Sequence, residues 1–121
     1  MRAIKLVGML VVMAVSGTAW ADLAVTAKAA KGVEKHQPVG EASEFADKDT
    51  VWVWSEVTDG EGKKIKHVWK LDGKELWSTE LAVGSKKWVT NSRRVVKPGS
   101  YTVEILGEDG TKLTDVAFTV K

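Results

Sequence analysis

From residue 50 to the C-terminus, apolar and polar residues alternate with a period of two, and glycine, proline or aspartate interrupts the alternation at short intervals. A period of two puts successive side chains on opposite faces of an extended chain, so the pattern predicts strands and not helices. Strands are predicted over 50–58, 64–71, 74–83, 87–92, 100–106 and 112–120. Between them stand Asp59-Gly60-Glu61-Gly62, Asp72-Gly73, Gly84-Ser85, Pro98-Gly99 and Gly107-Glu108-Asp109-Gly110. In such turns glycine supplies positive φ and aspartate bonds its own following backbone. Asp72-Gly73 is the clearest two-residue hairpin. Upstream, 22–49 is rich in alanine, lysine and glutamate and predicts one strand, 23–29. The stretch 31–48 reads as a long connection, with a helical turn or two expected at most over 41–48. About seven short strands with turns at this spacing predict an all-β fold, an immunoglobulin-like antiparallel β-sandwich rather than a small barrel.

The same alternation assigns faces. Ile65, His67, Trp69 and Leu71 share one side of their strand, as do Trp77, Thr79, Leu81 and Val83 on the next; Tyr101, Val103 and Ile105, and then Phe118 and Val120, repeat the arrangement. These rows are the expected core. One strand carries apolar residues on both sides, with Val51, Val53 and Val57 opposite Trp52 and Trp54. Such a strand is either covered on both faces or presents tryptophans to solvent.

The N-terminal pattern is different. Arg2 and Lys5 precede an apolar run over 6–15, and small residues lead to Ala19-Trp20-Ala21. This is the layout of a secretory signal peptide, with cleavage expected after Ala21 and a periplasmic or secreted product. The apolar run is about half the roughly 20 residues a membrane-spanning helix needs, so no transmembrane anchor is expected. The expected organisation is therefore a signal peptide over 1–21 and one sandwich domain over 22–121, divided into an N-terminal strand with its connection (22–49) and the main strands (50–121). The chain has no cysteine, so neither a lipid anchor on cysteine nor a disulfide supplements the core. The whole chain has 18 basic residues; without Arg2 and Lys5 the remainder balances its 16 acidic ones. A balanced chain has no excess positive charge to attract nucleic acid.

A set of residues in fixed order resembles a known bacterial family. They are Gly32-Val33-Glu34, Gln37-Pro38-Val39-Gly40, Phe45, Ile65-Lys66-His67-Val68-Trp69, Trp88 with Ser92, Pro98-Gly99, and Gly110 and Leu113 followed by Phe118-Thr119-Val120. Over roughly 24–120 the chain is similar to the domain of unknown function 2914 family. The resemblance implies a β-rich extracytoplasmic domain and supplies no activity. Where relatives place arginine directly after the tryptophan and an aromatic before the serine, this chain has Val89 and Asn91. If that pair belongs to a family binding surface, this chain has lost it or uses Arg93 and Arg94 instead.

No catalytic apparatus is visible. There is no cysteine nucleophile, Gly-X-Ser-X-Gly elbow, His-Glu-X-X-His helix or phosphate-binding glycine loop. His67 and His36 are the two histidines, without the company or spacing of a zinc site, and neither the 59–62 turn nor the 107–110 turn has a calcium-loop register, so no metal or cofactor is expected. The candidate ligand-binding residues are Trp52, Trp54, His67, Trp88, Arg93 and Arg94. For His67 the competing reading is a core histidine whose nitrogens are satisfied by neighbours. For the tryptophans it is core filling, most strongly for Trp69 and Trp88. The Lys86-Lys87 and Arg93-Arg94 pairs flank Trp88 as a basic rim, or are solvated surface charge. Together these point to an exported, non-catalytic binding module of the cell envelope whose partner is a protein or envelope polymer. The alternatives are a carbohydrate-binding domain using Trp52 and Trp54, and a structural accessory that pairs through an edge strand. Oligomeric state is left open.

Overall fold

A computed structural model describes residues 23–121; the leader and its cleavage site lie outside the described residues. The strands are β1 (Ala24–Ala30), β2 (Gly32–Glu34), β3 (Gln37–Val39), β4 (Glu44–Phe45), β5 (Thr50–Thr58), β6 (Lys64–Leu71), β7 (Lys74–Ala82), β8 (Lys87–Val95), β9 (Gly99–Leu106) and β10 (Lys112–Val120). They form a five-stranded sheet in the order β4-β10-β9-β6-β7, a three-stranded sheet in the order β1-β5-β8, and the small hairpin β2-β3. All pairings are antiparallel except the short β4-β10 pair. The two larger sheets make a β-sandwich whose long strands follow the sequence alternation.

The core lies between those sheets. Val51, Val53 and Val57 of β5 face Ile65 and Trp69 of β6, Tyr101, Val103 and Ile105 of β9, and Phe118 and Val120 of β10. Aromatic rings hold its centre: Tyr101 stacks on Phe118 at 5.0 Å, and Phe45 and Trp69 meet Phe118 edge-on at 5.4 and 6.2 Å. With no cysteine to cross-link the sheets, these contacts and the valine rows carry the packing.

The Asp72-Gly73 hairpin has positive φ at both residues, 51° and 84°, the two-residue turn whose twist matches that of its strands. The Asp72 carboxylate also accepts the Ser100 N–H at 3.0 Å, tying this turn to the start of β9. After β7 the chain crosses from the large sheet to the small one through Val83 and Gly84. A side chain at Gly84 would sit 2.9 Å from the Trp88 ring, so glycine is what lets that indole lie against the crossover.

The segment 31–48 departs from the sequence expectation. Instead of a plain connection it contains the β2-β3 hairpin and the short strand β4. No helical turn forms over 41–48. Asp49 accepts the Ala46 N–H on its side chain at 2.9 Å, and Lys48 takes φ of 72° while donating its N–H to Val96 O at 2.8 Å. Pairing with β10 and the loop after β8 thus replaces local helical bonds. β8 also runs to Val95, three residues past its predicted end. Arg93 and Arg94 interrupt the apolar pattern there, but their backbone continues in register with β5.

Candidate functional site

Two groups of polar side chains stand out, one inside the sandwich and one on its surface. The inner one begins with His67, whose position on β6 faces the core and which is wholly buried. Its Nε2 lies 3.0 Å from Ser55 Oγ on β5, and its Nδ1 lies 2.7 Å from Ser92 Oγ on β8. The Trp69 indole N–H donates to the same Ser92 oxygen at 2.9 Å. Ser55 and Ser92 are buried as well, so the group is a closed bridge between the two sheets. Burial pushes the His67 pKa down from 6.5 to about 4, which keeps the ring neutral, with one nitrogen donating and the other accepting. With no path to solvent, His67 serves packing and sits apart from the candidate surface.

That surface lies on the outer face of the three-stranded sheet. The β2-β3 hairpin folds back over it, and the Trp54 indole N–H donates to the His36 carbonyl at 2.9 Å. This covers Trp54, which is buried, and explains the doubly apolar pattern of β5: the strand is central in its sheet and its second face has a lid. Trp52 is half-buried, with the Arg93 guanidinium 4.8 Å from its ring centroid. Arg94, on the opposite face of β8, stacks over Trp77 of β7 at 5.0 Å. Trp88 is 38% exposed, the most open of the described tryptophans. The structure therefore sets the six predicted residues apart: Trp52 and Arg93 on the outer face, Trp88 and Arg94 toward the rim between the sheets, and Trp54 and His67 covered.

Between the hairpin tip and the adjoining ends of β5 and β8 is an open cleft of about 500 Å³, lined among others by Lys35, His36, Gln37, Glu56, Lys87 and Trp88. Its residues come from three elements that no single stretch of sequence unites. The tip is a two-residue turn with positive φ at Lys35 (50°) and His36 (64°). Such turns normally use Asn-Gly or Asp-Gly, and other residues there are strained by roughly 1 kcal/mol or more each. The side chains of Lys35, His36 and Gln37 have no hydrogen-bond or ion-pair partner among the described residues. Across the cleft, Glu56 meets Lys87 at 3.7 Å. The site thus combines an indole, unused donors and one bridged carboxylate, a lining that can hold a polar ligand with an anionic group. Sequence reasoning missed Lys35, His36 and Gln37, because a turn without glycine gives no signal, and with the hairpin unseen nothing placed Glu56 beside them.

A prediction follows from the strained tip. Replacing Lys35 with asparagine and His36 with glycine preserves the turn and its carbonyl bond to Trp54 while relieving the strain. The double variant is expected to gain about 1 kcal/mol of stability, read from the urea midpoint, while losing the cleft's side chains. A less stable double variant would show that the tip is not strained.

No curated protein matches the chain. Among solved structures, the Pseudomonas fluorescens alkylpurine DNA glycosylase AlkC bound to DNA containing an abasic site analog is similar, with a TM-score of 0.53 and 9% identity. The match covers 84% of this chain and 31% of that one, so it speaks for the fold alone. Against protein families, residues 56–120 match the family described as Protein of unknown function (DUF2914). That span takes in β6 to β10 with His67, Trp69, Trp88 and Ser92, which are among the residues that carry the resemblance and in three cases belong to the buried bridge between the sheets; the residues at 32–45 that also carry it lie outside the span, and the chain belongs to this family.

Proposed function

We propose that the chain is exported, loses its leader after Ala21, and works in the bacterial cell envelope as a non-catalytic binding module that uses the outer face of its small sheet. The observation that carries this reading is the hairpin tip. Two residues without glycine's freedom are held at positive φ, pinned by Trp54, and their polar side chains meet no partner but line an open cleft. Strain held in place beside unused donors is the signature of a surface kept for a ligand rather than for stability. Export rests on the three-part leader, and the non-catalytic reading on a sequence without an activated nucleophile or acid-base motif. The similar DNA glycosylase structure contains DNA, but without its leader, and so without Arg2 and Lys5, the chain's charge is balanced, which argues for a different ligand.

A second reading, carbohydrate binding, is favoured by the exposed Trp88 at the cleft, which replaces the covered Trp54 as the indole available to a sugar ring. The test is a titration of the purified protein with two probes, an oligogalacturonate and a glutamate-rich peptide, followed by amide chemical shifts. Shifts confined to Lys35–Gln37 and to β8 with either probe are expected. Shifts with neither, or spread over basic residues on every face, would overturn the reading. Mass spectrometry of the exported material should find Asp22 as its first residue; a retained leader would remove the export step.

A further inference from the structure

We propose that the free edge of β8 is a docking strand for an extended, acidic segment of a partner protein; this names the partner for the binding module above and rests on that reading. β8 ends the three-stranded sheet, paired with β5 on one side only. Val96 N donates to Asp49 O at 2.9 Å and Asp59 N to Lys86 O at 2.8 Å, at the two ends of the β5-β8 ladder. Antiparallel bonding alternates, so Trp88, Thr90, Ser92 and Arg94 bond toward β5. Val89, Asn91, Arg93 and Val95 therefore turn their N–H and C=O groups outward. The intervening Lys87 agrees, since its carbonyl accepts the Ser85 hydroxyl at 2.8 Å. The outward groups of the other four have no partner among the described residues.

Proteins normally defend such an edge with a bulge, a proline, a short strand or charged side chains. β7, the open edge of the large sheet, slips register opposite Trp69 and Lys70 and carries Glu75 and Glu80. β8 pairs its nine residues with β5 without a shift, and the charges it carries, Lys87, Arg93 and Arg94, are all basic. It contains no proline and no acidic residue, and it leaves Trp88 and Val95 exposed.

Charge selects the occupant. Arg93 lies over Trp52 and Arg94 over Trp77, one on each face of the strand, and neither meets a carboxylate among the described residues. Two guanidinium groups held over indoles, with no ion-pair partner, are preset for bidentate carboxylates. An incoming strand bonded to Val89 through Val95 would set its side chains beside Arg93 on one face and beside Arg94 and Trp88 on the other. A strand mixing glutamate or aspartate with apolar residues meets both. A second copy of this chain fits poorly, because its β8 brings the same cations and no carboxylate.

The test uses a labelled nine-residue peptide of alternating glutamate and valine, with affinity read by fluorescence anisotropy. Saturable binding is expected, weakening with salt, and about tenfold weaker for the same peptide N-methylated at every residue, since strand addition depends on main-chain bonds. Asn91→Pro should weaken it by a similar about tenfold, because that N–H faces outward and proline is tolerated at such edge positions without breaking the β5 ladder. Lys112→Ser, on β10 of the other sheet and outside both the cleft and the edge, should leave it unchanged. Absence of binding, equal affinity for the N-methylated peptide, or a dimer that Asn91→Pro dissociates would each overturn the proposal, the last by assigning the edge to a second copy. If the peptide fails while oligogalacturonate still shifts the Lys35–Gln37 signals, the strand proposal falls and the binding module stands. If neither probe has an effect, both fall.

Discussion

Replacing Trp69 with alanine is expected to lower stability by about 3 to 5 kcal/mol, the range for removing a large aromatic from a packed core. Trp69 is wholly buried at the centre of β6 and touches both Phe118 and Trp77. Its loss would leave a void between the sheets that the twisted strands on either side cannot collapse to fill. It would also free the Ser92 oxygen of one of its donors. A domain of this size has only about 5 to 15 kcal/mol to lose, and this one has no disulfide in reserve. Urea unfolding followed by tryptophan fluorescence and circular dichroism gives the difference directly. Trp69→Phe separates the contributions: it keeps much of the ring volume, drops the indole N–H, and should cost about 1 to 2 kcal/mol. If alanine costs less than phenylalanine is expected to, Trp69 is not the keystone of the core.

The long strands were legible because their alternation is strict and their turns carry glycine. β5 and β6 have the bounds that the pattern of valine, tryptophan and isoleucine predicts. Period two also placed Tyr101, Val103, Ile105 and Phe118 inward, since a face is a local property of a strand. What stayed hidden is what depends on distant parts of the chain meeting. The β2-β3 hairpin turns at Lys35 and His36, residues that do not announce positive φ, so its strands merged with a polar connection and its cover over Trp54 was invisible. The cleft was hidden for the same reason. The bridge from His67 to Ser55 and Ser92 joins positions 12 and 25 residues apart across two sheets, a pairing no single-strand pattern encodes. Of the candidate residues, the arginines gained most from the structure. In the sequence Arg93-Arg94 is a short charge run; in the fold each lies on a different indole along an open edge.

The bridge also makes acid a selective probe of the core. His67 is neutral in the fold, its pKa lowered by burial from 6.5 to about 4. In the unfolded chain it takes up a proton as pH falls through about 6.5, whereas the folded chain binds that proton only near 4. Between those values the unfolded state holds more protons, so stability rises with pH and falls as the solution is acidified. The group's contribution is flat above about 6.5 and amounts to a loss of about 3 kcal/mol by pH 4. Carboxylates add their own acid destabilisation below about 5, so the quantity to compare is the difference between the wild type and His67→Gln. Glutamine can still offer a donor and an acceptor to Ser55 and Ser92 but cannot titrate. The variant should be less stable at pH 7, because its amide fits the site less well, yet lose less on acidification, so the two urea midpoints converge between pH 6.5 and pH 4. Parallel pH curves for the two proteins would mean that His67 is protonated in the fold or reached by water, and the closed bridge between the sheets would have to be abandoned.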